Sequence, residues 1–252
     1  GLVLLVALVP LLIISASYDS SRRSWWRMAG WGSLGIGLWT IVTCWWIYFA
    51  AAVGIVAATV VQILLFGGVF MVYHYASKRT RPVHAYTLLV AGWLWAEHFY
   101  LNAEISFPWL VLGNGFANDV WAVQWYEFTG NLGGTLWVLI SNIAIFEAWH
   151  NRSRWSVVRA GAVVILPIVL SLAMYWSYEP SKEKIKVSVM QPNVDCYEEK
   201  FSDNVAWQMQ NISDLFSSVP RDSRVVVLPE TALPERLNDD KPLQGMNIMT
   251  LQ

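Results

Sequence analysis

The reading of the fold turns on residues 28–77, MAGWGSLGIGLWTIVTCWWIYFAAAVGIVAATVVQILLFGGVFMVYHYAS. These 50 residues contain no Asp, Glu, Lys or Arg. As one α-helix they would reach ~75 Å at 1.5 Å per residue. The hydrocarbon core of a bilayer is only ~30 Å thick. The run must therefore fold back on itself, and two membrane spans are expected, with the turn around residues 48–54. Outward from this stretch, residues 1–18, 82–96, 128–146 and 160–178 are also poor in charge. About six spans are expected, at roughly 1–17, 28–48, 54–76, 84–101, 131–149 and 158–177.

The connecting loops give an independent check on the count. Arg22, Arg23 and Arg27 follow the first span, Lys78, Arg79 and Arg81 the third, and Arg152, Arg154 and Arg159 the fifth. The loops after the second and fourth spans hold neither Lys nor Arg. Residues 102–130 carry only Glu104, Asp119 and Glu127. Basic residues on alternate loops are what the positive-inside rule demands. A missed or invented span would break the alternation. The basic loops are therefore assigned to the cytoplasm, and the segment after the sixth span to the outside.

Composition agrees. The chain has 252 residues, 56% of them hydrophobic, with 16 Trp and 2 Cys and a mean hydropathy of +0.41. Charged residues make up 14%, against about 25% in soluble domains. A disordered chain, a disulfide scaffold and an ordinary cytosolic enzyme are excluded, and a membrane protein is indicated. The net charge of −1 argues against a nucleic-acid binder. The average hides two unlike parts, because Trp207 is the one Trp after residue 176 and charges are dense beyond it. Residues 1–178 are expected to form a helical bundle and residues 182–252 a polar outer domain. Residues 1–16 have no basic n-region and no clear cleavage site, so a span cut at its N-terminus fits better than a signal peptide. The chain is accordingly read as a piece of a longer one.

Several residues invite a role. Trp25, Trp26, Trp45, Trp46, Tyr48, Tyr73, Tyr75, Tyr100, Trp149, Trp155, Tyr175, Trp176 and Tyr178 cluster near span ends, as an interfacial aromatic belt would. His74, His84 and His150 also lie at span ends and are read as interfacial. No metal-ligand spacing occurs. Glu97 and Glu147 fall inside spans, where an ionised side chain is costly unless it faces protein or water. Glu97 is open to two readings, structural partner or site residue. Asn142 reads as a helix–helix hydrogen-bonding residue. The outer loop contains Trp109, Gly113, Gln124, Trp125 and Tyr126 and is too apolar for an ordinary exposed loop. It is expected to dip into the interface or line a cavity, as either a lipid entrance or a plain re-entrant loop.

In the outer segment, residues 184–191 alternate polar and apolar and read as a strand. Phe201, Val205, Met209, Ile212, Leu215 and Phe216 recur at helical spacing. Residues 224–228 read as a second, buried strand. Strand, helix, strand implies a parallel βαβ unit, with Glu230 at the carboxyl edge where α/β folds place their sites.

Two motifs then carry a resemblance. Val187-Ser-Val-Met-Gln-Pro-Asn193 and Val225-Val-Val-Leu-Pro-Glu-Thr-Ala-Leu-Pro234 are similar to the opening of a nitrilase-type (carbon-nitrogen hydrolase) domain. A membrane bundle directly before such a domain resembles the apolipoprotein N-acyltransferase family. Phe107-Pro-Trp-Leu-Val-Leu-Gly113 after Glu97, then Gln124-Trp-Tyr126 and Gly130 before Asn142, resemble that family's mid-bundle pattern. Trp46 and Tyr48 resemble its aromatic pair.

The resemblance implies a polytopic α-helical bundle followed by the start of a periplasmic nitrilase-like αββα domain, in the bacterial inner membrane. It implies acyl transfer from a phospholipid to the N-terminal diacylglyceryl-cysteine of lipoproteins, through a thioester. No cofactor is implied, and no nucleic acid. Of the family's Glu-Lys-Cys triad, Glu230 alone matches, as general base. Cys196, Cys44 and Lys241 do not match the family's Cys and Lys. Those two lie further on, so this chain is expected to be inactive alone. The residues Glu97, Trp109, Gly113, Gln124, Trp125 and Tyr126 are candidates for a lipid entrance. Two other readings stay open: a membrane-anchored nitrilase-like amidase, and a transporter or binding protein with a small outer domain.

Overall fold

A computed structural model of the chain describes residues 1–103, 107–180, 183–195, 205–229 and 232. The expectations resting on Cys196, Phe201, Glu230 and Lys241 lie outside the described residues. The chain divides into two units, Gly1–Tyr178 and Glu179–Gln252.

The first unit is helical. Its elements are α1 (Leu4–Ala7), α2 (Val9–Ser17), α3 (Arg22–Cys44), α4 (Ile47–Ala50), α5 (Ala52–Gln62), a π-helical segment (Ile63–Gly67), α6 (Gly68–Ser77), α7 (Pro82–Asn102), α8 (Tyr126–Asn151) and α9 (Arg154–Ser177). Helical residues cover each of the six expected segments. Three stretches, Ala52–Ser77, Tyr126–Asn151 and Arg154–Ser177, are long and apolar enough to cross a membrane. Leu4–Ser17 is apolar but shorter.

Local chemistry sets the boundaries. The Ser21 side chain accepts the Ser24 N–H, an N-cap that starts α3 six residues before the expected span. Ser153 caps α9 by accepting the Trp155 N–H. Pro82 opens α7, where its missing N–H costs nothing. Ala51 is extended between α4 and α5, inside the expected turn. Gly130 breaks α8 with φ 63° and ψ −170°, backbone angles essentially reserved for glycine.

Distant side chains take over where helices lose their own bonds. Leu4–Ser17 is interrupted at Leu8, just ahead of Pro10. There Asn142 of α8 accepts the Leu8 and Val9 N–H groups at 2.7 and 3.1 Å, and its Nδ2 donates to the Leu4 carbonyl at 2.8 Å. Asn142 is thus the interhelical hydrogen-bonding residue its position suggested. Pro167 inside α9 displaces the carbonyl four residues earlier. That carbonyl, on Val163, accepts the Trp137 indole N–H at 2.9 Å.

Polar groups are enclosed and apolar ones face out. Gln62, Thr40, Thr135, Ser141 and Ser171 are fully buried. Ile165, Leu166, Val169 and Leu170 of α9 are each more than half exposed. Such a broad apolar exterior is a surface made for a non-aqueous neighbour. Inside, Trp93 is enclosed by Phe66 and Phe70, with ring centroids at 4.6 and 6.1 Å.

Two interfacial expectations are corrected. Tyr73 is buried and stacks on Tyr86 at 6.0 Å. His74 is buried too, its Nδ1 2.9 Å from the Ser15 hydroxyl. Both project from the face of α6 that meets α7 and α2. Their place along the helix suggested the interface, but their angle around it decided burial. Trp26, Trp45, Tyr48, Trp155 and Trp176 are exposed, as belt residues would be.

The second unit contains β1 (Val187–Val189), α10 (Val205–Ser217) and β2 (Val225–Val227). The strands pair in parallel, Val187 with Val225 and Val189 with Val227. The expectation that β2 is a buried strand is corrected: Val225 and Val227 are 41% and 45% exposed. Val187 and Val189 of β1 are exposed on the same face, at 45% and 75%. Asn193, ending the Gln-Pro-Asn motif, has φ 53°, a left-handed conformation that Asn tolerates better than most residues.

Candidate functional site

The loop between α7 and α8 is folded into three short 3₁₀ turns, Pro108–Leu110, Leu112–Phe116 and Val120–Ala122. Leu110, Val111, Leu112, Phe116, Ala122, Val123 and Trp125 are buried. Its apolar composition suggested a loop that dips into the interface or lines a cavity, and these residues do turn inward. A loop folded inward needs partners for its backbone polar groups, and three helices supply them.

Glu97 of α7 is the main tie. It is 1% exposed. Its Oε1 accepts the Trp93 indole N–H at 3.0 Å and the Leu112 N–H at 2.9 Å, and its Oε2 accepts the Thr135 hydroxyl at 2.6 Å. Thr135 Oγ1 in turn accepts the Gly113 N–H at 3.1 Å. The Tyr126 hydroxyl donates to the Gly113 carbonyl at 2.9 Å. From α9, Ser171 accepts the Gln124 N–H at 2.6 Å and donates to the Trp121 carbonyl at 2.8 Å. Of the two readings open for Glu97, this geometry supports the structural partner, since all its hydrogen bonds run within the bundle.

Gly113 lies where the loop presses against α8. A Cβ there would sit 1.9 Å from the Asn131 carbonyl oxygen. No side chain fits, and the loop closes on the helix only because this position has none.

Beside this contact lies a cavity of about 410 Å³, lined by Gly113, Asn114, Phe116, Gln124, Tyr126 and Asn131 among others. Asn131 Nδ2 donates to Asn114 Oδ1 at 3.0 Å, and Gln124 Nε2 to the Val120 carbonyl at 2.9 Å. The lining has amides and a phenol but no charged group. Such a wall is suited to an apolar or ester-bearing molecule; it offers neither a carboxylate nor an imidazole as general base.

Six candidate entrance residues therefore separate into three groups. Gly113, Gln124 and Tyr126 share the cavity. Glu97 and Trp125 stand behind it. Trp125 is buried edge-on against Trp137 at 5.7 Å, its indole N–H without a hydrogen-bond partner among the described residues. Trp109 lies apart, 53% exposed and packed edge-on against Trp46 at 5.4 Å and Phe107 at 4.9 Å. Glu230 lies outside the described residues. Thr135, Ser171, Asn114 and Asn131 had not been singled out. Their signal was that of small polar residues inside or beside apolar spans, which often mark helix contacts.

Residues 1–144 match the family described as "Apolipoprotein N-acyltransferase N-terminal domain". The chain is similar to a protein named apolipoprotein N-acyltransferase from Chlorobaculum tepidum, 26% identical over 94% of this chain and 46% of the relative. One of the same name from Gloeobacter violaceus is 27% identical over 93% of this chain and 47% of the relative. The chain spans about half the length of these curated relatives. No solved structure matches it.

Proposed function

This chain belongs to the family of apolipoprotein N-acyltransferase N-terminal domains, and from that premise we propose that it serves lipoprotein N-acylation. It is the membrane-embedded part, with the start of the catalytic domain, of an enzyme in the bacterial inner membrane. Residues 1–178 provide six spans with their basic loops in the cytoplasm. Residues 182–252 begin a nitrilase-like αββα domain on the periplasmic side.

The reaction has two steps. Glu230 takes the proton of a Cys thiol, and the thiolate attacks the ester carbonyl of a phospholipid acyl chain. A thioester forms and the lysophospholipid leaves, its alkoxide taking the proton back from Glu230. The N-terminal amine of a diacylglyceryl-cysteine lipoprotein then attacks the thioester. The amide forms, and the amine's proton passes through Glu230 to the departing thiolate, which restores the thiol. A Lys stabilises each oxyanion. The Cys and Lys correspond to no position of this chain, so alone it transfers nothing.

The observation that carries the reading is the tied-down outer loop with its uncharged cavity beside Gly113 and Tyr126. A donor and an acceptor that are both lipid-anchored need an apolar way in from the bilayer. The test is transfer of a labelled acyl chain from phospholipid to a diacylated lipopeptide. It uses protein extending through the full length of its relatives. Glu230→Gln is expected to lower the rate roughly 100-fold or more. Amide hydrolysis without acyl transfer, or an unimpaired Glu230→Gln variant, would refute the proposal.

A further inference from the structure

A second cavity, of about 680 Å³, lies between α7, α8 and α9. It shares no lining residue with the first. Its walls are aliphatic, with Val83, Val90 and Leu94 on one side and Ile140, Ala144 and Val163 on the others. From Pro82 to Leu94 the α7 wall runs ~18 Å. One leaflet contributes about 15 Å, half of a ~30 Å core. The slot is thus about as long as a leaflet is deep.

Its polar lining, Tyr86 and Thr87 with Glu147, Ser156 and Arg159, is concentrated toward one end. Glu147 is already engaged, accepting hydrogen bonds from the Tyr86 hydroxyl and from Asn151 Nδ2. Among the described residues Arg159 has a single hydrogen bond, to the Ser156 hydroxyl at 3.3 Å. It forms no ion pair among the described residues. Arg159 is exposed near the start of α9, at the end of the slot that borders the basic loops, where the phosphates of a leaflet lie. Its planar fork matches a phosphate, the anion that every phospholipid carries.

We propose that this groove holds a phospholipid of the leaflet bordering the basic loops, its phosphate on Arg159 and one acyl chain along α7 and α8. This rests on reading α7, α8 and α9 as membrane spans. The bound lipid fills the slot between three helices and neutralises Arg159. It is distinct from any acyl donor entering at the opposite end of α8.

The experiment uses the 252-residue chain in nanodiscs doped with a phospholipid bearing a diazirine at the end of one acyl chain. After irradiation, adducts are mapped by mass spectrometry. Labelling is expected at Val90, Leu94 and Ile140, as well as on the outward face of α9 at Leu166 and Val169. Arg159→Gln should lower groove labelling about ten-fold, the scale of lost charge-assisted hydrogen bonds. The outward-face signal should stay constant. Arg159→Lys should retain most of the groove signal, and Ala144→Phe, which fills the slot, should abolish it. Groove labelling indifferent to both Arg159→Gln and Ala144→Phe overturns the proposal, as does labelling confined to the outward face of α9. Absence of labelling on the groove and on the outward face alike would instead overturn the membrane-span reading.

Discussion

Replacing Glu97 tests whether its carboxylate acts as a hydrogen-bond hub or as a charge. In Glu97→Ala, the Leu112 N–H and the Trp93 indole N–H lose their acceptor inside a closed environment. Each orphaned buried donor costs ~1–3 kcal/mol. The Thr135 hydroxyl can rotate, so its loss adds little. The total is about 2–6 kcal/mol, large against the overall stability of a domain. Glu97→Gln keeps an amide oxygen for both N–H donors. Its NH₂ then faces Thr135 Oγ1, which can accept. The cost should be about 1 kcal/mol.

The assay is thermal unfolding of the purified chain in detergent, followed by Trp fluorescence, with limited proteolysis of residues 103–125 beside it. At roughly 2–4 °C per kcal/mol for a chain of this size, Glu97→Ala should lower Tm by about 5–20 °C and expose the loop to protease. Glu97→Gln should shift Tm by only a few degrees. Equal damage from Gln and Ala would refute the hub and require the ionised group.

Other outcomes are as specific. Asn142→Leu should cost ~2–4 kcal/mol, because Leu8 N–H, Val9 N–H and the Leu4 carbonyl lose their partner at the helix break, and exchange at Leu8 and Val9 should quicken by hydrogen–deuterium mass spectrometry. Gly130→Ala should cost ~1–3 kcal/mol, since its backbone angles exclude a Cβ; an unchanged Tm would contradict the kink. The Ser21 and Ser24 hydroxyls, with the Ser21 N–H, hold the Asp19 carboxyl down to about 2. A depressed folded value means its contribution to the α3 cap is complete above the unfolded value near 4 and is lost as pH falls toward 2. Exchange at the start of α3 should rise through that window, and Asp19→Asn should remove the pH dependence. Ser153→Cys should react with impermeant thiol reagents only from the cytoplasmic side, and Asn118→Cys only from the outside; the same side for both would overturn the six-span topology.

Charge placement and apolar runs were enough to locate the six long helical stretches of the first unit, though not the 3₁₀ turns between α7 and α8. They were also enough to single out Asn142, because a lone amide in an apolar run must find a partner. The order of elements in the second unit was legible for a similar reason: alternation of period two and spacing of three to four are properties of adjacent residues. The burial of β2 was misread because an all-valine strand looks the same whether both faces are covered or one. The entrance candidates were taken together for their shared aromatic and glycine character. Folding divides them, putting Trp109 outside, Trp125 inside and Tyr126 on the cavity wall.

What the sequence by itself determined is where helices start, stop and bend. Ser21, Ser153, Pro82, Pro10 and Gly130 act on backbone within one turn of themselves, so their effect needs no partner. Tertiary structure alone decided that Glu97 meets Leu112 and Thr135, that Ser171 receives Gln124, and that His74 turns inward to Ser15. These pairings depend on the rotation of each helix about its own axis. A few tens of degrees of that rotation separate a buried partner from an exposed side chain, and packing against helices distant in the chain sets it.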